Sequence, residues 1–218
     1  MKKSLILLFC LISLCGCSKK NNEIQSVNDK KLITKIDTTK DYIYEDLYRS
    51  LVVNNKDYSL TIPTINLNSD DVSNINLEIK NDVINSSKKY KMDNNNLISG
   101  NVIYFDYYIF DDYLSLCEYS NYYFDNSMGE ESVNSYIIDL KTGVRLSKDD
   151  ILSIYGISDE DILDYILDNV DSNDKDYVIM NIKNDGYTLF INGDKKLVIY
   201  YNEVSDDEYK LKELVYES

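Results

Sequence analysis

The cysteines near the start of the chain have a type and spacing that indicate chemistry. Leu14-Cys15-Gly16-Cys17 follows a positively charged start, Met1-Lys2-Lys3, and a ten-residue apolar run, Leu5 to Leu14. That run is too short to span a bilayer as a stable helix, and the arrangement is typical of a signal segment. A Leu, two small residues and a Cys form the pattern of a bacterial lipobox, where the thiol is diacylated and the chain is cut before it. We therefore predict that residues 1–16 are removed and that Cys17 carries lipid.

The alternative is an ordinary secretory signal that contains cysteine by chance. If Cys17 is diacylated, its two acyl chains are enough for stable membrane anchoring. We therefore expect the protein at the cell membrane, lipid-anchored on its outer, extracytoplasmic face.

Several carboxylates could do chemistry, but each also has a structural explanation. Asp111 and Asp112 are adjacent and would point to opposite faces of a strand, which favours a turn over paired acid/base catalysis. Asp149 and Asp150 fall in the first turn of a predicted helix, where the helix dipole favours acids. The acidic stretch further on contains Asp168, Asp171, Asp174 and Asp176. It lacks the glycine and the late glutamate of a calcium loop, so we interpret it as a solvated loop and predict no metal site.

The remaining composition argues against enzyme classes that depend on a nucleophile. The chain has no His, which removes Ser-His-Asp and Cys-His catalysis and the usual zinc sites. Cys117 is the only cysteine after Cys17, so the mature chain has no partner for an intrachain disulfide. We interpret it as a small packed residue. No glycine-rich phosphate loop or nucleophile elbow is present. We predict no catalytic residue, no cofactor and no enzyme, with a carboxylate-dependent hydrolase as the remaining enzymatic alternative.

Charge and aromatic content indicate the kinds of partner. The net charge is −15, and removal of Lys2 and Lys3 with the signal takes it to −17. Such a chain repels nucleic acid and attracts cations or a basic protein. Solubility close to a membrane surface explains the same charge without any partner. The 21 Tyr are good strand formers and also offer rings on which sugars can stack.

The elements that position these residues are predicted from periodicity and turn chemistry. A helix begins after Ser69 and runs to about Lys88, with one apolar stripe at spacings of three and four. Residues 101–124 form a hairpin around the Asp111-Asp112 turn, followed by a loop over 125–132. Ser147 and Ser158, each with Asp three residues on, begin two short helices. Strands over 187–191, 197–201 and 211–216 close the chain, the first two joined at Asn192-Gly193. The fold is predicted to be α+β, an antiparallel sheet packed with one longer helix and two short helices.

The domain boundaries follow from composition. Residues 17–41 are mostly polar and are predicted to be a flexible tether. Residues 42–218 are predicted to be one extracytoplasmic domain.

Three stretches resemble the DUF3298 family of extracytoplasmic domains, which a DUF4163-like segment often precedes. The run from Tyr136 to Leu152 resembles the signature D-L-x-T-G-x-x-L-x-x-x-D-[IL]. Residues 60–63 followed by 72–79 resemble the family's early strand and helix, and 197–204 its late strand. The match covers roughly residues 44–218. The chain departs from the family before the central strand, where Asn126-Ser127-Met128-Gly129 replaces a Gly-Gly-x-His-like run.

The resemblance implies a binding or sensing role at the cell envelope. Relatives include the outer domain of a lysozyme-sensing anti-sigma factor and the accessory region of a peptidoglycan deacetylase. The expected partner is therefore a basic cell-surface protein such as lysozyme, or cell-wall glycan. A structural envelope lipoprotein without soluble ligand is the alternative.

Overall fold

A computed structural model describes residues 33–53, 55–94, 96–124, 127–170, 175–205 and 208–217. In chain order it contains strands β1 (Ile43–Val53) and β2 (Lys56–Ile65), helix α1 (Asp70–Ser87), strands β3 (Lys91–Asp93), β4 (Asn96–Phe110), β5 (Tyr113–Phe124) and β6 (Ser127–Asp139), helices α2 (Lys148–Tyr155), α3 (Asp159–Asp168) and α4 (Lys175–Asp185), and strands β7 (Thr188–Ile191), β8 (Leu197–Ser205) and β9 (Glu208–Val215). The predicted α+β class is confirmed.

The larger sheet has the strand order β2-β1-β4-β5-β6, with the short strand β3 paired to the start of β4. Its pairs are antiparallel except for a single parallel contact between Val52 of β1 and Asn96 of β4. The β4–β5 hairpin turns at Asp111 and Asp112, as predicted. This sheet positions the candidate site described below.

Helix α1 packs against one face of the larger sheet. Ser69 caps it, because its Oγ accepts a hydrogen bond from the backbone N–H of Val72 at 3.1 Å. The predicted apolar stripe is buried and consists of Val72, Ile75, Ile79 and Val83. It contacts buried residues of the sheet that include Leu114, Leu116, Tyr136 and Ile138.

The smaller sheet, in the order β7-β8-β9, covers the opposite face. Cys117 points to this side and is fully buried against Phe190, Val198 and Tyr200, which confirms that it is a small packed residue. The two sheets are also joined by a 2.8 Å hydrogen bond between the hydroxyls of Tyr119 and Tyr200.

The three shorter helices cover the outer side of the smaller sheet. The central strand β8 is therefore buried on both faces: Val198 and Tyr200 contact the larger sheet, while Leu197 and Ile199 pack with residues of α2, α3 and α4. Both predicted capping boxes, at Ser147 and Ser158, are present. No helix in the described ranges is long and apolar enough to cross a membrane.

Three boundaries differ from the sequence predictions. The fold begins before residue 42, because Thr34 N–H donates to Asn68 Oδ1 at 2.9 Å and Asp37 N–H to Asn66 Oδ1 at 2.8 Å. The predicted loop over 125–132 is largely strand, since β6 begins at Ser127 and extends the hairpin ladder with β5. The predicted acidic loop ends at a helix that the sequence analysis missed, α4.

The predicted β7–β8 hairpin is present, with Asn192 and Gly193 at the start of its turn. The loop spans 192–196, with Lys195 in the left-handed region at φ 60°. The Asn192 side chain accepts hydrogen bonds from the N–H groups of Asp194 and Lys196, both at 3.0 Å. Glycine is needed at position 193 because it has no side chain: a Cβ there would lie 2.8 Å from the Tyr108 ring.

Candidate binding site

The α1 face of the larger sheet changes from apolar to polar along its strands. Directly paired residues of antiparallel strands share a face. On this face the apolar pairs Leu114–Ile138 and Leu116–Tyr136 are followed by Glu118–Asn134 and then Ser120–Ser132. On the other side of β5, Asn101 pairs with Tyr122. The first pairs lie under α1, and the last pairs lie past its C-terminal end.

Glu118 is a buried carboxyl group at this boundary. Its side chain is 3% exposed, it receives a hydrogen bond from Asn134, and its Oε2 has no partner among the described residues. Burial raises the pKa of the Glu118 carboxyl to about 7, with further increases from the charges of Asp82 and Glu78. A protonated carboxyl is therefore substantially populated at neutral pH.

The two acids that face Glu118 come from α1. Burial, followed by the charge of Glu78, also raises the pKa of Asp82. Tyr136 lies in the same region, and burial together with the charges of Glu118 and Glu78 raises the pKa of its phenol. The guanidinium of Arg145 lies 4.7 Å from the centre of the Tyr136 ring and is the cation that opposes this increase.

A cavity of about 470 Å³ occupies the polar part of the face. Its lining is Lys89, Lys91, Ser99, Gly100, Asn101, Ser120, Tyr122, Glu131 and Ser132. Lys89 follows the C-cap residue of α1, Lys88, so the helix terminus forms one side of the opening. Tyr122 is 44% exposed, which leaves much of its ring accessible. The cavity thus combines hydroxyl and amide groups and the charged residues Lys89, Lys91 and Glu131 with one aromatic ring, a combination suited to hydrogen bonding and stacking with a polar ligand.

Glu118 lies next to this cavity along β5 and is not among its lining residues. It is two residues from Ser120 along β5, a separation of about 7 Å. Since its carboxyl is almost completely buried, its direct effect is on the charge and stability of the region. We therefore assign no catalytic role to it.

The sequence analysis did not identify this site. The available signal was the alternation in β5, where Glu118 continues the series Leu114 and Leu116 and so occupies an inward-facing position. A charged residue at such a position is unusual enough to mark a site. The contributions of Asp82 and Glu78 could not be found this way, because helical periodicity places them beside the apolar stripe without indicating what they face.

The residues that the sequence analysis did consider are not brought together. Asp111 and Asp112 form the predicted turn and pair outward with Lys195 and Lys141, respectively. Asp150 belongs to the capping box of α2, and Asp149 lies in the same first turn. Burial raises the pKa of the Cys117 thiol to about 12, consistent with a packed residue.

The remaining candidates are separate from the cavity or outside the described residues. Asp168 ends α3 and Asp176 lies in the first turn of α4, while Asp171, Asp174 and Cys17 are outside the described residues. Among the residues that the structure does describe, no group of three or more possible ligands could hold a metal ion.

Comparison with known proteins gives no family. No model of a known protein family matches the chain, and no curated protein is significantly similar to it. The resemblance to DUF3298 domains therefore stays a prediction, and the function has to be argued from the site.

Proposed function

We propose that this protein is a membrane-anchored extracytoplasmic binding module, and that the cavity past the end of α1 binds cell-wall glycan. The observation that carries the proposal is its lining, in which Asn101, Ser120 and Ser132 offer hydrogen bonds beside the exposed ring of Tyr122. Sugars present both hydroxyl groups and flat apolar faces, and such a lining matches both. The volume is within the range of small-molecule binding sites.

Titration with soluble peptidoglycan fragments tests this proposal. The full-length chain in a polyoxyethylene detergent, which contains no sugar, is followed by NMR. We expect saturable shifts at the amides of Asn101, Ser120 and Tyr122. Tyr122→Ala should weaken binding about tenfold, which corresponds to about 1.4 kcal/mol. Tyr177→Ala is the matched control, because Tyr177 is also an exposed tyrosine, 56% exposed, but lies on α4. Shifts that do not saturate, or equal losses in both variants, would overturn the proposal.

A second candidate function is binding of a cationic protein, with lysozyme as the first partner to test. The observation that favours it is the surface of α3, where Asp159, Glu160, Asp161, Asp164 and Asp168 are all exposed on one ten-residue helix. Concentrated negative charge steers association with a basic partner and makes it salt-sensitive.

This second candidate is tested at about 150 mM salt, where the Debye length is about 8 Å and long-range attraction is largely screened. One-to-one binding tighter than about 10 μM would support a specific interface. The double variant Glu160→Lys/Asp164→Lys should abolish it. Asp46→Lys/Asp57→Lys makes the same change in net charge on β1 and β2 and should leave it intact. Equal loss in both double variants would reduce the interaction to nonspecific charge attraction.

A further inference from the structure

A second, smaller cavity of about 240 Å³ lies at the outer side of β6. The lining residues from β6 are Asn134, Ser135 and Ile137. The other lining residues are Arg145, Leu146, Lys148, Ile151, Tyr187, Thr188 and Leu189. The segment before α2 runs beside β6 here, since the N–H of Leu146 donates to the carbonyl of Ile137 at 2.8 Å. This cavity has no lining residue in common with the proposed glycan site.

Arg145 lines this cavity and supplies a positive charge whose position is fixed by hydrogen bonds. Its Nη2 donates to the carbonyl of Ser135 at 3.1 Å, and the guanidinium lies over the Tyr136 ring. Its backbone N–H donates to Asp71 Oδ2 at 3.0 Å, which fixes the residue from the other side. One carbonyl uses a small part of the five N–H donors of a guanidinium, so donors remain for a ligand.

Lys148 supplies the second cation. Its Nζ lies 2.7 Å from Asp159 Oδ1 and 4.8 Å from the centre of the Tyr187 ring. The side chains of this ion pair are 47% and 61% exposed, and exposed pairs of this kind contribute at most about 1 kcal/mol. Asp159 Oδ1 also accepts a hydrogen bond from the Tyr187 hydroxyl. An anion that enters the cavity therefore shares the ammonium group with Asp159.

Ser135 adds an unused hydroxyl group. Its Oγ is buried and has no hydrogen-bond partner among the described residues. A buried hydroxyl without a partner is costly in a folded protein, and a ligand that accepts a hydrogen bond from it would remove that cost. It lines the same cavity as Arg145 and Lys148.

We propose that this cavity binds a small oxyanion, a carboxylate or phosphate group, between Arg145 and Lys148 with Ser135 Oγ as a neutral donor. The net charge of the chain is −15, so the average field repels anions, and binding here depends on the local positive charges of Arg145 and Lys148. A guanidinium and an ammonium match the geometry and charge of such groups. The volume of about 240 Å³ fits a single small anion or the terminal group of a larger ligand.

Titration of the full-length chain with inorganic phosphate and, separately, with acetate tests this site. The protein is kept in non-ionic detergent at low ionic strength, and the amide signals of Ser135, Ile137 and Arg145 are followed by NMR. At least one anion should give saturable shifts at these amides, with a Kd below about 1 mM. The anion that saturates identifies the ligand chemistry as phosphate or carboxylate. If neither saturates, the proposal is overturned.

Three variants locate the binding. Arg145→Gln should weaken it at least tenfold, and Ser135→Ala should weaken it severalfold. Lys196→Gln removes one exposed positive charge outside this cavity and should leave the affinity unchanged. Thermal melting checks that each variant is folded. If Arg145→Gln fails to fold, Lys148→Gln replaces it with the same expected loss. An equal loss in Lys196→Gln would show a response to net charge and overturn the site.

Discussion

Glu118 is the side chain whose burial has the clearest thermodynamic consequence. The ordinary pKa of this carboxyl group is 4.5, and in the fold it is about 7. Between these values the unfolded chain releases a proton that the folded chain keeps. The contribution of Glu118 to stability is therefore fully present below about pH 4.5 and is lost as the pH rises through 7, a total change of about 3 kcal/mol.

The substitution Glu118→Gln should remove this pH dependence, because a neutral amide has no proton to retain. We expect the free energy of unfolding of the wild type, measured with urea, to fall by about 3 kcal/mol between pH 4.5 and pH 8. The variant should show a much smaller change and should be more stable than the wild type at pH 8. Glu160→Gln, at an exposed position of α3, should behave as the wild type. Parallel pH profiles for wild type and Glu118→Gln would contradict the burial argument.

At the scale of elements, the turn after β6 is hydrogen-bonded to the residue that caps the start of α1. Ser69 Oγ, which caps α1, also donates a 2.6 Å hydrogen bond to the carbonyl of Gly143. Gly143 has φ 65°, and a Cβ there would lie 2.6 Å from Ser69 Cβ. Glycine is therefore favoured at position 143 for two reasons: the backbone is left-handed, and there is no space for a Cβ beside the helix cap.

Gly143→Ala should therefore destabilise the protein for two reasons, the left-handed backbone and the steric overlap with Ser69. Gly156→Ala is the matched control, because Gly156 has φ 68° and a Cβ added there would meet no atom within 4 Å. We expect Gly143→Ala to cost about 2 kcal/mol more than Gly156→Ala, the scale of a forced steric overlap. Urea unfolding of the two variants measures the difference. Equal costs would mean that the helix cap moves away freely.

The cap of α2 gives an independent prediction. Ser147 Oγ accepts a hydrogen bond from the N–H of Asp150 at 3.2 Å, and Asp150 Oδ2 accepts one from the N–H of Ser147 at 2.9 Å. Ser147→Ala should cost about 1 kcal/mol of unfolding free energy. Ser153→Ala, at an exposed position inside the same helix, should cost clearly less. If both variants lose the same stability in thermal melts, the capping box does not hold the helix start.

The elements that local signals specify could be predicted from the sequence. Capping serines located three helix starts, and the Asp111-Asp112 turn located the central hairpin, because each signal acts within a few residues. The start of β6 at Ser127 could not be predicted, since its polar residues become strand only by pairing with β5. The cavity was missed for a related reason: it depends on where α1 ends above the sheet, which is a tertiary relationship.

At the scale of the whole molecule, the anchor remains the central prediction. The chain should incorporate labelled fatty acid at Cys17, because its first seventeen residues follow the lipobox pattern. Cys17→Ala should abolish the label and release the protein from the membrane fraction. Cys15→Ala, which keeps a small residue before Cys17, is the control and should remain labelled. Label retained in Cys17→Ala would show that lipid is not attached there.

The direction of α1 separates two features of the fold. Ile33, the first described residue, has its side chain next to Gly143 and thus beside the first turn of α1. The larger cavity opens past the last turn, and eighteen helical residues separate the two ends by about 27 Å. The Ser69–Gly143 contact and the larger cavity are therefore held at opposite ends of one helix. A substitution at the cap would reach the cavity only through the length of α1.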